Sequence, residues 1–360
     1  MKEIIFYELK KLVNFRKILV LSTVLFLLCM GSFAIIYAMG DWKGAGEMLS
    51  YYSGSLENNP RIEEAEIRYQ EIIATYIDKN IEMDEATGEE FRELEYPQWL
   101  KRCDEVRKSN LAEIGFEAET LIIGDTVFYG FMEEFIANYL PFILGFVIAL
   151  LIAPVFATEY ANRTVGLLLS ARHGKKQLIL AKFIAATIVI LVGYGLVLGM
   201  FAMISLCVCG PSDWNASFVF LADNVFVYLS SPYNFRVWQY MLVLLGCSFI
   251  GSIGFGCFTL FVSSRSKNVL WASMVSLAVV YVPILAFKSL GQNEGIAPNV
   301  LRLFHGAVMG VRTLFSDYLP VYIGNITLTI STISITLLCI SSVLCGIFAF
   351  RAFQKHQVQN

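Results

Sequence analysis

One stretch of the chain sets acid, base and hydrocarbon side by side: ATEYANRTVGLLLSARHGKKQLILAK, residues 157–182. Glu159 opens it, and Arg163, Arg172, Lys175 and Lys176 follow around an apolar patch of Val165, Leu167, Leu168 and Leu169. The chemistry such a mixture offers is non-covalent. Apolar side chains can seat in a groove, where a few buried anchors carry most of the contact energy. The basic groups can stay near anionic headgroups. A positively charged loop with a few leucines, serving only to orient neighbouring helices, has the same composition, and the residues alone leave both readings open.

Covalent chemistry finds little support elsewhere. The chain has no G-x-x-x-x-G-K-[ST] phosphate loop and no H-E-x-x-H, so neither a backbone cradle for ATP phosphates nor a helical zinc pair is expected. It has no G-x-S-x-G nucleophile elbow. The three histidines, His173, His305 and His356, are scattered. Of eight cysteines only Cys103 lies outside or away from the apolar runs, and Cys207-Val-Cys209 has no second cluster to complete a metal site. No enzyme activity, bound cofactor, metal or nucleic-acid partner is expected of this chain.

The elements that must position the 157–182 stretch are membrane helices. The chain is 56% hydrophobic and 16% charged, where a soluble domain carries about a quarter charged residues. Six runs contain no Asp, Glu, Lys or Arg: 18–40, 135–158, 183–212, 237–264, 268–287 and 318–350. A helix needs about 20 residues to cross a hydrocarbon core of roughly 30 Å, and backbone groups in lipid must pair within their own segment. The fold expected is an all-α membrane protein with six transmembrane helices. Their cores hold no ionisable group, although carriers coupled to ions or protons usually need one there. Energy for transport would therefore come from outside the bilayer.

Lys and Arg in short loops set orientation. Fourteen lie in residues 1–17, 159–182, 265–267 and the tail, against four (Arg236, Lys288, Arg302, Arg312) in the opposite short loops. Both termini and the 159–182 loop are expected to be cytoplasmic. Residues 1–17 repeat Ile5, Leu9, Leu12 and Val13 at helical spacing, with Lys2, Lys10 and Lys11 elsewhere on the wheel. This suits an interfacial helix as well as a solvated basic leader, and residues 18–40 then form the first span. Residues 41–134 carry nine Lys/Arg against twenty-three Asp/Glu, a net charge of −14. They are expected to form a small, mostly helical, acidic extracellular domain, with Ile67, Ile72, Tyr76 and Ile81 as anchors, a turn at ATGEE and a break near Pro97. Residues 135–360 hold the other five spans. Pro141 and Pro154 are expected to kink the second.

The 157–182 stretch resembles the cytoplasmic coupling segment of ABC-2 type transporter permeases. That family shows a Glu ending the second span, a Gly-Thr pair, a leucine run, a Ser, a Pro, a basic residue and a Lys opening the third span. Glu159, Thr164, Leu167 to Leu169, Ser170, Lys175 and Lys182 match in order and spacing; Arg163 replaces the Gly and Arg172 the Pro. The departures suggest a divergent member. The resemblance implies the transmembrane subunit of an exporter in the bacterial plasma membrane. Two permease subunits, alike or different, would pair in the lipid, and an ATP-binding subunit, carrying ATP and Mg, would dock beneath each. Glu159 would end span two, Thr164 to Leu169 would form the coupling helix, and Lys175 with Lys176 would hold its far end at the headgroups. The resemblance also suggests that 295–320 is a re-entrant extracellular segment of two short helices. Peptides, drugs and lipids all remain possible substrates. A rival reading is a non-transport membrane sensor or assembly factor whose acidic domain binds a ligand.

Overall fold

The computed structural model describes residues 2–13, 15–40, 42–79, 85–162, 174–221, 228, 231–290, 296–316, 318–323 and 326–355. The chain is mostly helical, and six helices are long and apolar enough to cross a membrane: Arg16–Met39, Leu140–Ala161, Lys176–Cys209, Val237–Arg265, Val269–Leu290 and Ile330–Phe353, here spans 1 to 6. In order, α1 is Lys2–Leu12, α2 Phe15–Met39, α3 Trp42–Tyr51, α4 Pro60–Lys79, α5 Glu85–Glu113 and α6 Val127–Asn138. Span 2 is divided into α7 (Leu140–Ile152) and α8 (Pro154–Ala161), and α9 (Gly174–Cys209) carries span 3. Spans 4 and 5 are α10 (Val237–Arg265) and α11 (Val269–Leu290); three short helices follow, α12 (Ile296–Leu301), α13 (His305–Gly310) and α14 (Arg312–Phe315), before α15 (Ile330–Lys355).

Spans 2 and 4 form the interior. In their most apolar windows 72% and 50% of residues are buried, against 17–22% in the other four. The outer helices turn Leu27, Leu191, Trp271 and Val343 outward, as lipid-facing helices do, because hydrocarbon outside is as good a solvent for them as the core. Ser252 and Gly256, one turn apart on span 4, face inward; a Cβ on Gly256 would stand 2.2 Å from Ile190 Cδ1. A Cβ at Gly195 or Gly199 would meet nothing within 4 Å outside its own helix backbone.

The kink expected of Pro154 is a true break. Proline lacks the N–H that would continue α7, and one hydroxyl from span 4 repairs the gap. Ser263 Oγ donates to Ala153 O at 2.6 Å and accepts from the backbone N–H groups of Phe156 (3.0 Å) and Ala157 (3.1 Å). Pro141 instead sits at the start of α7, where no donor is lost.

Between spans 1 and 2, a two-residue strand, β1 (Gly54–Ser55), pairs antiparallel with β2 (Ile122–Ile123), and α4 packs on α5. The packed face of α4 is Ile62, Ala65 and Tyr69. Ile67 points outward, 63% exposed, so the anchor expected there is on the wrong face. Ile72 is half-buried; the side chains of Tyr76 and Ile81 lie outside the description. ATGEE belongs to α5 rather than to a turn, since one internal glycine costs a helix only about 1 kcal/mol. The same 29-residue helix runs through Pro97 without the expected break. Cys103 is buried.

The apolar run 318–350 is not one element. Its first part is a hairpin, β3 (Pro320–Ile323) against β4 (Ile326–Thr329), and span 6 starts only at Ile330. Within the stretch 295–320, residues 296–315 fold back among spans 2, 4 and 5 as α12 to α14. The approach is close: a Cβ on Gly251 would lie 3.0 Å from Met309 N, and one on Gly310 would lie 2.8 Å from Ala137 O.

Candidate coupling site

α1 is amphipathic, but one acid interrupts its apolar face. Glu8 lies in the arc of Ile5, Leu9 and Leu12, and it is buried with Leu12. That face packs on the start of α9, where Lys182 is 0% exposed. Across from it, the short α8 ends two residues after Glu159, which is 1% exposed.

These three side chains meet although they are 174 and more than twenty residues apart. Lys182 Nζ lies 2.8 Å from Glu8 Oε2 and 2.5 Å from Glu159 Oε1. Its remaining direction points to Val155 O at 3.4 Å, so all three ammonium protons are used. The Phe156 ring closes one side, 5.8 Å from the ammonium. Lys11 Nζ reaches Glu159 Oε1 from the rim at 3.1 Å. Two carboxylates and two ammonium groups balance in charge. Balance is required here, because taking each ion out of water costs several kcal/mol and only close, hydrogen-bonded partners offset it.

Position gives the cluster its meaning. Glu159 and Lys182 stand at the two roots of the connection between spans 2 and 3. The structure ties those roots to one another and to α1. The connection cannot move at one root without disturbing the other root and the N-terminal helix.

Of the residues singled out in the sequence, Glu159 is in the cluster. Lys176 is exposed on the first turn of α9, and Lys175 is on the same helix with its side chain outside the description. Arg163, Thr164, Val165, Leu167, Leu168 and Leu169 lie outside the described residues. The sequence reading left out Glu8 and the bond from Lys11. A signal existed: an acid on the apolar face of an amphipathic helix, and a lysine at the edge of a charge-free run, each needing a partner.

A second buried set lies at the other ends of the spans. Glu133 on α6 is 0% exposed. Arg312 Nε bonds Glu133 Oε1 at 2.7 Å, and its terminal NH2 bonds both Glu133 Oε2 and Glu134 Oε2, the latter at 2.5 Å. Tyr228 donates to Glu133 Oε1 at 2.6 Å and touches the Tyr240 hydroxyl at 3.1 Å. Burial first, and then the Glu133 carboxylate, pushes the Tyr228 hydroxyl well above its usual range, so it remains a donor. Val311, at φ 63°, turns the chain between α13 and α14 in a region that β-branched residues rarely occupy. Among the described residues no His/Cys/Asp/Glu group could hold a metal ion.

No curated protein and no solved structure matches the chain. A family model described as ABC-2 family transporter protein matches residues 3–358, nearly the whole length, and that family is a transmembrane transport component rather than a catalytic subunit. The chain belongs to the ABC-2 family of transporter proteins.

Proposed function

We propose that the chain is the permease subunit of an ATP-binding-cassette exporter in a bacterial plasma membrane. Its termini and the 159–182 connection face the cytoplasm, and the acidic segment 41–134 lies outside. Two permeases pair, and a separate ATPase, holding ATP and Mg, docks beneath each connection. The observation that carries this reading is the closed Glu8–Lys182–Glu159 cluster. A connection that transmits force needs stiff roots, and a buried, charge-balanced ion set supplies them. Residues 163–170 then act as the docking helix, with Leu167 and Leu168 as anchors and Val165 as a weaker third. Arg163, Thr164 and Leu169 complete that helix, while Lys175 and Lys176 hold its far end at the headgroups.

Pull-down of the ATPase at matched expression tests this. Leu167→Ala with Leu168→Ala should weaken recovery of the ATPase and abolish transport, since each truncated anchor costs roughly 1–4 kcal/mol, while the spans stay inserted. Glu159→Ala should still recover the ATPase but lose the link between hydrolysis and transport. Unchanged recovery with the double variant would remove the coupling role and favour a non-transport sensor. Sidedness is read separately with a membrane-impermeant thiol label on intact cells in a cysteine-free background. Buried Cys103 cannot serve, so the label should reach Ser109→Cys and not Lys176→Cys, both exposed positions. The reverse pattern would invert the proposed orientation.

A further inference from the structure

Between span 5, the end of α6 and the folded-back helices α12 to α14 lies a cavity of about 230 Å³. Its walls are mostly hydrocarbon: Ala137, Pro283, Ile284, Phe287, Leu301 and Ala307. Lys288, Arg312, Asn138 and Thr313 supply the polar atoms. The acids beside it are spent. Both Glu133 oxygens are engaged by Arg312 and Tyr228, and Glu134 accepts from Arg312 and from Asn138 Nδ2. Arg312 commits Nε and one terminal nitrogen to the same bonds.

What is left over is a set of donors. The exposed Lys288 ammonium has no carboxylate partner among the described residues; it only overhangs the Phe142 ring at 5.9 Å. The Thr313 hydroxyl makes no hydrogen bond among them either. Donors without acceptors call for an anionic, oxygen-rich group. The hydrocarbon walls call for an apolar chain joined to it. Size narrows the choice further. Pockets that enclose a whole small ligand hold about 300–1,000 Å³, so this one takes only part of its occupant. The rest must remain outside, in the lipid around the helices.

We propose that this cavity is a binding site for an anionic phospholipid, drawn from the leaflet at the end of span 5 remote from the 159–182 connection. The phosphate lies against Lys288 and Thr313, and an acyl chain enters between Ile284, Phe287 and Ala307. The occupant wedges between span 5 and the folded-back helices, so the site is a lipid contact built into the permease and does not depend on the ATPase reading.

Native mass spectrometry of the full chain, delipidated and then offered phosphatidylglycerol or phosphatidylcholine of matched chains, tests it. The wild type should retain one phosphatidylglycerol in preference to phosphatidylcholine. Lys288→Ala should lower that retention about tenfold, the loss of one charge-assisted hydrogen bond, and Lys288→Arg should preserve it. Ala307→Phe, which fills the cavity, should exclude the lipid with Lys288 intact. Lys288 is exposed, so its variants report on binding even if Ala307→Phe folds poorly. Equal retention of the two lipids by the wild type, or unchanged retention by Lys288→Ala, overturns the proposal. Displacement of the bound phosphatidylglycerol by millimolar inorganic phosphate also overturns it and assigns the donors to a free anion.

Discussion

The two buried ion sets use the same inventory to different ends. Each places two carboxylates around one cation inside apolar surroundings. The set at the 159–182 connection gathers them from α1, α8 and α9 around Lys182, a compact charge whose three donors swivel to three acceptors. The other takes Glu133 and Glu134 from one helix and grips them with the planar fork of Arg312, a geometry that fixes direction as well as charge. A lysine suits a junction where three elements converge at unrelated angles. An arginine suits a strained turn at Val311 that must be aimed at one place. The Lys182 set also has a second cation at its rim, Lys11, 38% exposed, so water reaches it from one side.

This contrast can be broken by substitution. Lys182→Ala should have the largest effect, because it strands the buried Glu8 and leaves the buried Glu159 only Lys11 at the rim. Removing one partner of a buried pair costs roughly 3–5 kcal/mol, and the thermal midpoint of the detergent-purified chain should fall accordingly. Stability equal to wild type would mean the Lys182 set is open to solvent. Arg312→Lys keeps the charge and loses the fork. Losing one of the three charge-assisted hydrogen bonds costs about 1.5–3 kcal/mol, read by the same midpoint. A loss below that of a neutral surface change would show that direction does not matter there. Glu8→Gln should be the mildest, about 1 kcal/mol, since Lys182 keeps Glu159 and the amide oxygen still accepts. If it matched Lys182→Ala, the cluster would be centred on α1 rather than on the connection.

Much of the architecture was legible. Charge-free runs of sufficient length located all six spans, because a single apolar solvent imposes one rule on every helix that crosses it. Residues 2–12 read as helical from Ile5, Leu9 and Leu12. Where the environment is mixed, the same reasoning slipped. The run beginning at 318 hides a hairpin, since Val321, Ile323 and Ile326 suit strand and span equally. Ile67 was assigned inward from its type, although the positions that pack are 62, 65 and 69. The candidate site was legible in part. Glu159 and Lys182 could be picked out at the two roots, but their contact with Glu8 depends on how α1 seats against span 3. No local pattern records a bond across 174 positions. Glu133 was placed in the acidic segment by its neighbours, and only tertiary packing removes it from water.

The hydroxyl of Ser263 has a mechanical consequence. Three backbone groups on either side of the Pro154 break hang on that single oxygen, so it works as a hinge pin through span 2. Torque applied to the short arm that carries Glu159 is borne first by span 4. The same span rests against Met309 through Gly251, twelve residues nearer its opposite end. A push on one side of the membrane is thereby loaded onto the beam that carries the folded-back helices on the other.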